Sequence, residues 1–225
     1  MAKAALVTGG SSGIGYAIAR MLRREDYDLT VAARKRERLD SAAAELGAHP
    51  VAADVASEDD CERLVSEHRA RFDRLDVLVN SAGLGVAARI EDLETKHWDL
   101  QLDVNLRGAF LVTRSALPLL KRSRGIVVNI SSIAGTLPAP GLAAYGAAKA
   151  GLISLTRSLN AEHADDGVRA TAICPGFVDT PMAAWTGMAS EEMIQPDDCA
   201  EIVQMLLRLS PRARIPQVVV ERLGA

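Results

Sequence analysis

Short aliphatic segments alternate with longer amphipathic segments along the chain, and this alternation restricts the fold more than any other feature. Seven segments are typical of buried strands: Ala4–Thr8, Leu29–Ala33, Val51–Ala53, Val77–Asn80, Ile126–Ser131, Val168–Cys174 and Gln217–Val220. The segments between them carry apolar residues three and four apart, as at Cys61, Leu64 and His68, which indicates amphipathic helices. Nearly continuous aliphatic strands are buried on both faces. The pattern therefore predicts a Rossmann-type, doubly wound α/β domain, with a mostly parallel seven-stranded sheet between helices.

No repeat, linker or low-complexity stretch divides the 225 residues, so we expect one domain over residues 1–225. The irregular segment at about 176–196 is predicted to be a substrate loop, because loops of that length usually form lids or binding loops. The balance of 26 basic and 29 acidic side chains argues against nucleic-acid binding and against disorder.

Three widely spaced cysteines, the lack of a secretory signal and the lack of an apolar run long enough for a membrane span favour a cytoplasmic protein with no membrane contact. The four histidines have no metal-binding spacing, so no metal is expected.

The first strand runs into the octet Thr8-Gly9-Gly10-Ser11-Ser12-Gly13-Ile14-Gly15, and a helical segment follows. Glycines at such a turn let the backbone approach a pyrophosphate, whose charge is stabilised at the helix N-terminus. A glycine-rich turn can also simply connect a strand to a helix. Its position after the first strand of an α/β chain favours dinucleotide binding. The expected cofactor contacts here are Gly9, Ser11, Ser12, Gly13, Ile14 and Gly15.

Tyr145 and Lys149 are four residues apart in a predicted helix, so their side chains can point into one site. A tyrosine has an ordinary pKa near 10, and a nearby cation favours the phenolate and lowers that pKa towards neutral pH. Catalysis of proton transfer improves as the pKa approaches the working pH. The same spacing also occurs as an ordinary surface contact, so the pair indicates proton transfer only together with other residues.

The glycine octet and the Tyr-x-x-x-Lys pair resemble the short-chain dehydrogenase/reductase family, in its shorter single-domain branch, and the resemblance runs through nearly the whole chain. It implies an NAD(P)-dependent oxidoreductase in which Tyr145 donates and accepts the proton. It also implies that Ser132 hydrogen-bonds the substrate oxygen, that Lys149 holds the nicotinamide ribose, and that Asn105 breaks its helix and holds a water that reaches the lysine. Ser131 is the alternative to Ser132, but the preceding residue of an extended chain should project the other way.

The resemblance extends to positions that follow other strands. It implies cofactor contacts at Asp54, Val55, Asn80, Ala82, Gly83, Pro175, Gly176, Val178 and Thr180, besides Tyr145 and Lys149. Ser81 departs from the family's Asn-Asn-Ala-Gly sequence at its second asparagine. Considered alone, Asp54 is also typical of a turn or a helix N-cap, and Pro175-Gly176 is also typical of a turn.

The second strand ends at Ala33, where NAD-preferring relatives carry an aspartate, and Arg34 follows. An arginine at this place accommodates the 2′-phosphate of NADP. Lys35 and Arg36 could equally begin a solvated basic helix, and Ser12 stands where many NADP-preferring relatives carry a basic residue. On balance the sequence predicts that NADP(H) is preferred over NAD(H).

Apolar side chains from the predicted loops around the cleft indicate a small or moderately sized hydrophobic carbonyl or alcohol as substrate. The candidates are Val86, Leu142, Met182 and Trp185, with Leu84 and Met188 beside them. A methionine and tryptophan cluster in a loop is equally typical of a lid that packs on the core.

The end of the chain, Val218–Ala225, departs from the family's Asp-Gly-Gly ending, a region that contributes to one tetramer interface. We therefore expect a homodimer through the helices that carry Asn105 and Tyr145, with a homotetramer as the alternative.

Two other functions fit the same scaffold. One is an NADP(H)-binding sensor without turnover, which has no need of Ser132, Tyr145 and Lys149. The other is a non-redox enzyme such as an epimerase or dehydratase, whose relatives usually have a longer substrate domain and a different glycine spacing.

Overall fold

One or two α-helices follow each strand up to β6 in the computed structural model, which describes residues 2–223. The strands are β1 Ala4–Thr8, β2 Asp28–Ala33, β3 His49–Ala52, β4 Val77–Asn80, β5 Ile126–Ile130, β6 Arg169–Pro175 and β7 Gln217–Val220. The α-helices are α1 Gly13–Arg24, α2 Arg36–Leu46, α3 Glu58–Phe72, α4 Thr95–Leu102, α5 Gly108–Ser123, α6 Ala143–Glu162 and α7 Pro196–Arg208. All seven predicted strands are present, with bounds that differ by at most two residues. Within the segment Val218–Ala225, which departs from the family's Asp-Gly-Gly ending, Gly224 and Ala225 lie outside the described residues.

The strands form one seven-stranded sheet in the order β3-β2-β1-β4-β5-β6-β7, and every pairing is parallel. This confirms the predicted Rossmann-type fold. The chain first proceeds from β1 to β3 in one direction and then crosses to β4 on the other side of β1. Because the connections leave β1 and β4 in opposite directions, a crevice opens at their carboxyl ends, where ligands bind in folds of this kind.

The apolar core lies in two layers, one on each face of the sheet. Adjacent residues of β1 face opposite layers, since Val7 packs with Ile18 and Leu22 of α1 while Leu6 packs with the helices on the other side. Burial of both faces explains why the strands are aliphatic at nearly every position. Among residues 2–223, no helix combines the length and the apolar composition that crossing a membrane requires.

A chain of buried polar side chains ties the centre of the sheet to two helices. The Asn80 amide donates to Thr113 Oγ1 of α5 at 3.0 Å and to Asn129 Oδ1 of β5 at 2.8 Å. The Asn129 amide in turn donates to Thr156 Oγ1 of α6 at 2.9 Å. Buried polar groups are costly unless they are hydrogen-bonded, so this network favours one placement of α5 and α6 on the sheet.

His68 of α3 is fully buried and bridges two elements. Its Nε2 lies 2.9 Å from the Arg74 carbonyl, which can only accept, so Nε2 carries the proton. Its Nδ1, 2.8 Å from Thr30 Oγ1, therefore accepts from that hydroxyl. Burial lowers the pKa of His68 to about 4, so the imidazole is neutral in the folded protein.

We expect the protein to lose stability in acid through this one side chain. The histidine has a pKa of 6.5 in the unfolded chain and of about 4 in the folded protein, so between these pH values only the unfolded chain binds the proton. The free energy of unfolding therefore falls as the pH drops from 6.5 to about 4. The substitution His68→Gln keeps a donor and an acceptor and removes the titration. Between pH 6.5 and 4 the free energy of unfolding of wild type should fall by about 3 kcal/mol more than that of the variant. Parallel urea titrations check this, and equal pH dependence of the two proteins would contradict it.

Candidate active site

The glycine turn lies at the carboxyl edge of the sheet, between the segments that follow β4 and β6. Gly9 and Gly13 have positive φ values of 67° and 54°. A Cβ added to Gly9 would lie 2.8 Å from the Ala82 nitrogen, and one added to Gly13 would lie 3.0 Å from Thr180 Cγ2. Only glycine therefore allows these close approaches. Ser12 is the N-cap residue of α1, but its side chain makes no capping hydrogen bond.

Thr8 holds the neighbouring segment against this turn, a role that sequence reasoning missed. It is buried, its hydroxyl donates to the Val79 carbonyl, and its Oγ1 accepts from the nitrogens of Ser81 and Ala82, both at 3.2 Å. The predicted contacts Ala82 and Gly83 are thereby fixed beside the turn. A hydroxyl residue at the last position of an apolar strand was the available signal.

The residues predicted to contact the cofactor away from this turn lie in different surroundings. Arg34 is exposed and forms no ion pair with any residue between 2 and 223. Asp54 Oδ1 accepts from the Ala56 nitrogen at 3.1 Å, so the ordinary turn role of this aspartate is present. Val55 is buried against Gly108 at the start of α5. The Asn80 side chain is buried in the sheet network, not turned to the surface.

The helix that carries Asn105 is interrupted at that residue. A π-helical turn, Asp103–Arg107, separates α4 from α5. Asn105 is buried, its amide donates to the carbonyls of Leu84 and Gln101 at 2.8 and 2.9 Å, and its Oδ1 accepts from the Leu84 nitrogen at 3.1 Å. The side chain therefore replaces helical bonding and holds the loop after β4. Turns of this kind are frequent at functional sites.

Gln101 supports the same loop and was not singled out in the sequence. It is fully buried, its Oε1 accepts from the Val86 nitrogen at 3.0 Å, and its amide donates to the His97 carbonyl at 3.1 Å. Its position four residues before Asn105 on one helix face was the only signal. Together the two amides define the path of the chain from Leu84 to Val86.

Ser132, Tyr145 and Lys149 lie together where β5 meets α6. Ser132 Oγ accepts from the Ala134 nitrogen at 3.2 Å and donates to the Pro175 carbonyl at 3.5 Å, and this hydroxyl acts to lower the pKa of Tyr145. Lys149 Nζ lies 5.4 Å from the centre of the Tyr145 ring and donates to the Ile130 carbonyl at 2.8 Å. Tyr145 is the third residue of α6 and Lys149 follows four residues later, so the phenol and the ammonium share one face of the helix.

Burial controls the protonation of both groups. It raises the pKa of Tyr145, and the interaction with Ser132 only partly opposes this. It lowers the pKa of Lys149 to about 8. The pKa of Tyr145 is therefore raised and not lowered as the sequence predicted, because burial removes the phenol from water and only Ser132 opposes this effect.

The segment after β6 forms a closed loop over this region. Its two ends pair, since the Asp179 nitrogen donates to the Ile194 carbonyl at 2.9 Å and the Ile194 nitrogen donates to the Phe177 carbonyl at 3.0 Å. A Cβ added to Gly83 would lie 3.6 Å from Lys149 Nζ and 3.9 Å from Met182 Cε. The tip of Met182 thus reaches the edge of the site.

Two aromatic residues of the loop remain exposed. Trp185 is 64% exposed and contacts Phe177, with ring centres 6.3 Å apart and nearly perpendicular planes. Packing of Trp185 on the core, the alternative for this loop, is therefore not observed. Phe177 was missed in the sequence, where it follows Pro-Gly without a periodic pattern. Val86 and Leu142 are half-buried on the loops opposite.

Within residues 2–223, no group of three or more histidine, cysteine, aspartate or glutamate side chains is arranged to hold a metal ion. The clustered polar groups of the crevice are instead a serine, a tyrosine, a lysine and an asparagine.

A family model described as short chain dehydrogenase matches residues 3–189. A Staphylococcus epidermidis protein named an uncharacterised oxidoreductase is 35% identical over 97% of this chain and 96% of its own length. A Staphylococcus aureus protein with the same description is 34% identical, with the same coverage.

Two solved structures are similar throughout. An alcohol dehydrogenase from the archaeon Thermococcus sibiricus, complexed with 5-hydroxy-NADP, has a TM-score of 0.93 and 32% identity, over 100% of this chain and 98% of its own. A variant of actinorhodin polyketide ketoreductase with NADPH has a TM-score of 0.91 and 33% identity, over 98% and 95% of the two chains. The fold, the crevice and these matches lead to one conclusion: the chain belongs to the short-chain dehydrogenase family and is an oxidoreductase.

Proposed function

We propose that the protein is an NADP(H)-dependent oxidoreductase that interconverts a carbonyl and an alcohol, with Tyr145 as the general acid and base. The observation that carries the proposal is the meeting of Ser132, Tyr145 and Lys149 beside the glycine turn of the first strand. The two similar solved structures, an alcohol dehydrogenase and a ketoreductase, both contain an NADP-type cofactor. A sensor without turnover would not need such a group of side chains.

The residues around the crevice fit a dinucleotide. Gly9 and Gly13 keep the backbone bare at the start of α1, where the helix N-terminus stabilises a pyrophosphate. Arg34 is exposed and free of an ion pair within the described chain, so its guanidinium is available for a 2′-phosphate. Lys149 and Thr180 would hold the ribose and the carboxamide of the nicotinamide.

A nicotinamide cofactor bound in the crevice would supply or accept a hydride, and the residues of this chain would place the substrate and move the proton. Tyr145 donates a proton to the carbonyl oxygen in reduction and accepts it in oxidation, and its raised pKa keeps the phenol protonated at neutral pH. Ser132 hydrogen-bonds the same oxygen and orients it. Asn105 acts as a positioning residue, since its amide fixes Leu84 and thereby the loop that faces Lys149.

The substrate is proposed to be apolar. The predicted substrate contacts Met182, Trp185, Val86 and Leu142 carry no charge that could bind a carboxylate or a phosphate. NADPH consumption with a panel of apolar aldehydes, ketones and quinones tests the proposal and separates it from the two rival functions. A chain that binds NADPH and consumes none with any of them would be a sensor or a non-redox enzyme.

A homodimer through α4, α5 and α6 is proposed as the assembly. Phe110, Trp98 and Leu100 on α4 and α5 are 42%, 37% and 37% exposed, so this side of the protein offers apolar surface to a second copy. Measurement of the mass in solution distinguishes the dimer from a monomer and from a tetramer.

Replacing Tyr145 by Phe removes the proposed proton donor with little change in shape. Turnover should fall by about 10²–10⁴-fold, the usual contribution of a general acid, while NADPH binding followed by fluorescence stays nearly unchanged. The matched control is Tyr27→Phe, which removes the hydroxyl of a buried tyrosine outside the crevice and should leave turnover intact. Near-normal turnover of the Tyr145 variant would refute its role.

The NADP preference should depend on Arg34. We expect kcat/KM for NADPH to exceed that for NADH by about ten- to a hundredfold, since a charge-assisted hydrogen bond contributes roughly 1.5–3 kcal/mol. Arg34→Ala should abolish most of the preference, whereas Arg38→Ala, which removes another exposed arginine nearby, should preserve it. Steady-state kinetics with both cofactors decides the point, and a wild-type enzyme that prefers NADH would exclude this assignment.

A further inference from the structure

Three consecutive residues at the end of β5 each contact the site in α6. The Ile130 carbonyl accepts from Lys149 Nζ at 2.8 Å. The Ser131 hydroxyl donates to the Lys149 carbonyl, also at 2.8 Å. Ser132 interacts with Tyr145. Lys149 is thus tied to the same strand end through its main chain and through its ammonium group.

The turn that follows β5 lies directly against the backbone of α6. A Cβ added to Gly135 would lie 2.7 Å from the Lys149 carbonyl carbon and 2.8 Å from the Ala150 nitrogen, and one added to Gly146 would lie 2.9 Å from the Ala134 carbonyl oxygen. The contact is therefore made by backbone atoms. It leaves little room for α6 to move towards the strand, but it does not by itself prevent sliding along the helix axis.

The Ser131 hydrogen bond restrains this sliding at Lys149 itself. Ser131 is only 2% exposed, so its hydroxyl depends on the Lys149 carbonyl as acceptor. The Lys149 carbonyl lies inside α6, where helical bonding already provides it with a partner, so the serine bond is additional to the helix and links it to the sheet. The lysine side chain is long and flexible, and its Nζ can hold one position only if its main chain is fixed.

We propose that Ser131 is a positioning residue for the reaction: it fixes the main chain of Lys149 and so sets the place of the Lys149 ammonium relative to Tyr145. This inference rests on the proposed function. Ser131 acts on the reaction through Lys149, whose main chain it holds.

Asn160 provides a matched control on the same helix. Its amide donates to the Ala170 carbonyl at 2.7 Å and its Oδ1 accepts from the Ala170 nitrogen at 2.8 Å, so it also ties α6 to the sheet. Asn160 is as buried as Ser131, but it lies about three helical turns beyond Lys149. A merely structural contribution of Ser131 should therefore resemble that of Asn160.

The kinetic test compares Ser131→Ala with Asn160→Ala, at a temperature where both variants are folded. The Ser131 variant should lose between about ten- and a hundredfold in kcat, as expected for a small misplacement at a catalytic site, with little change in KM for NADPH. The Asn160 variant should unfold at a lower temperature than wild type and keep its kcat. An unchanged kcat in the Ser131 variant, or an equal loss in both, would overturn the proposal.

A second measurement does not depend on turnover. The chain has five lysines, so ¹³C-labelled lysine gives few resonances, and the signal absent from K149M identifies Lys149. In wild type and in Asn160→Ala it should titrate near pH 8, whereas in Ser131→Ala the titration should move towards the ordinary value of about 10.4, because the ammonium is no longer held in its buried position. An unchanged titration in Ser131→Ala would refute the positioning role. Absence of NADPH turnover in wild type would instead refute the proposed function.

Discussion

The parallel arrangement of all seven strands is the constraint on which the site depends. Because every strand runs in one direction, the segments that follow β1, β4, β5 and β6 all leave the sheet at one edge. Residues far apart in sequence, such as Thr8 and Ala82, are therefore in contact, because Thr8 ends one strand and Ala82 lies just after the neighbouring strand. The reversal of strand order beside β1 separates the connecting helices there and leaves the crevice open.

Contacts between backbone segments explain why small residues gather at this edge. Gly9 faces the peptide after β4, and Gly135 faces the peptide of Lys149. Side chains at these positions would separate the segments by more than a hydrogen bond can span, and Thr8 and Ser131 supply the hydrogen bonds that the close approach permits. The glycines and the buried hydroxyl residues therefore act together, since neither would fix the loops without the other.

Much of this architecture could be predicted from the sequence, because aliphatic runs and helical spacing are local signals. The strand Val77–Asn80 and the closeness of Tyr145 and Lys149 are examples. The supporting contacts could not be predicted in the same way, because Ser131 and its partner Lys149 are 18 residues apart and Thr8 lies more than 70 residues from the segment it holds. The pKa of Tyr145 was misjudged for a related reason: spacing shows which charge is near, whereas burial depends on the whole fold.

The two opposite pKa shifts at the site have one cause and one chemical consequence. Burial disfavours the charged form of either group, so it raises the pKa of the Tyr145 phenol and lowers that of the Lys149 ammonium. A neutral phenol is the form that donates a proton, and a phenolate is the form that accepts one. Under the proposed mechanism, Tyr145 is therefore ready for carbonyl reduction at neutral pH, while alcohol oxidation first requires its deprotonation against the cost of burial. The protonation state that desolvation favours in Tyr145 is thus the proton-donating one, and a rise in pH shifts the phenol towards the proton-accepting phenolate.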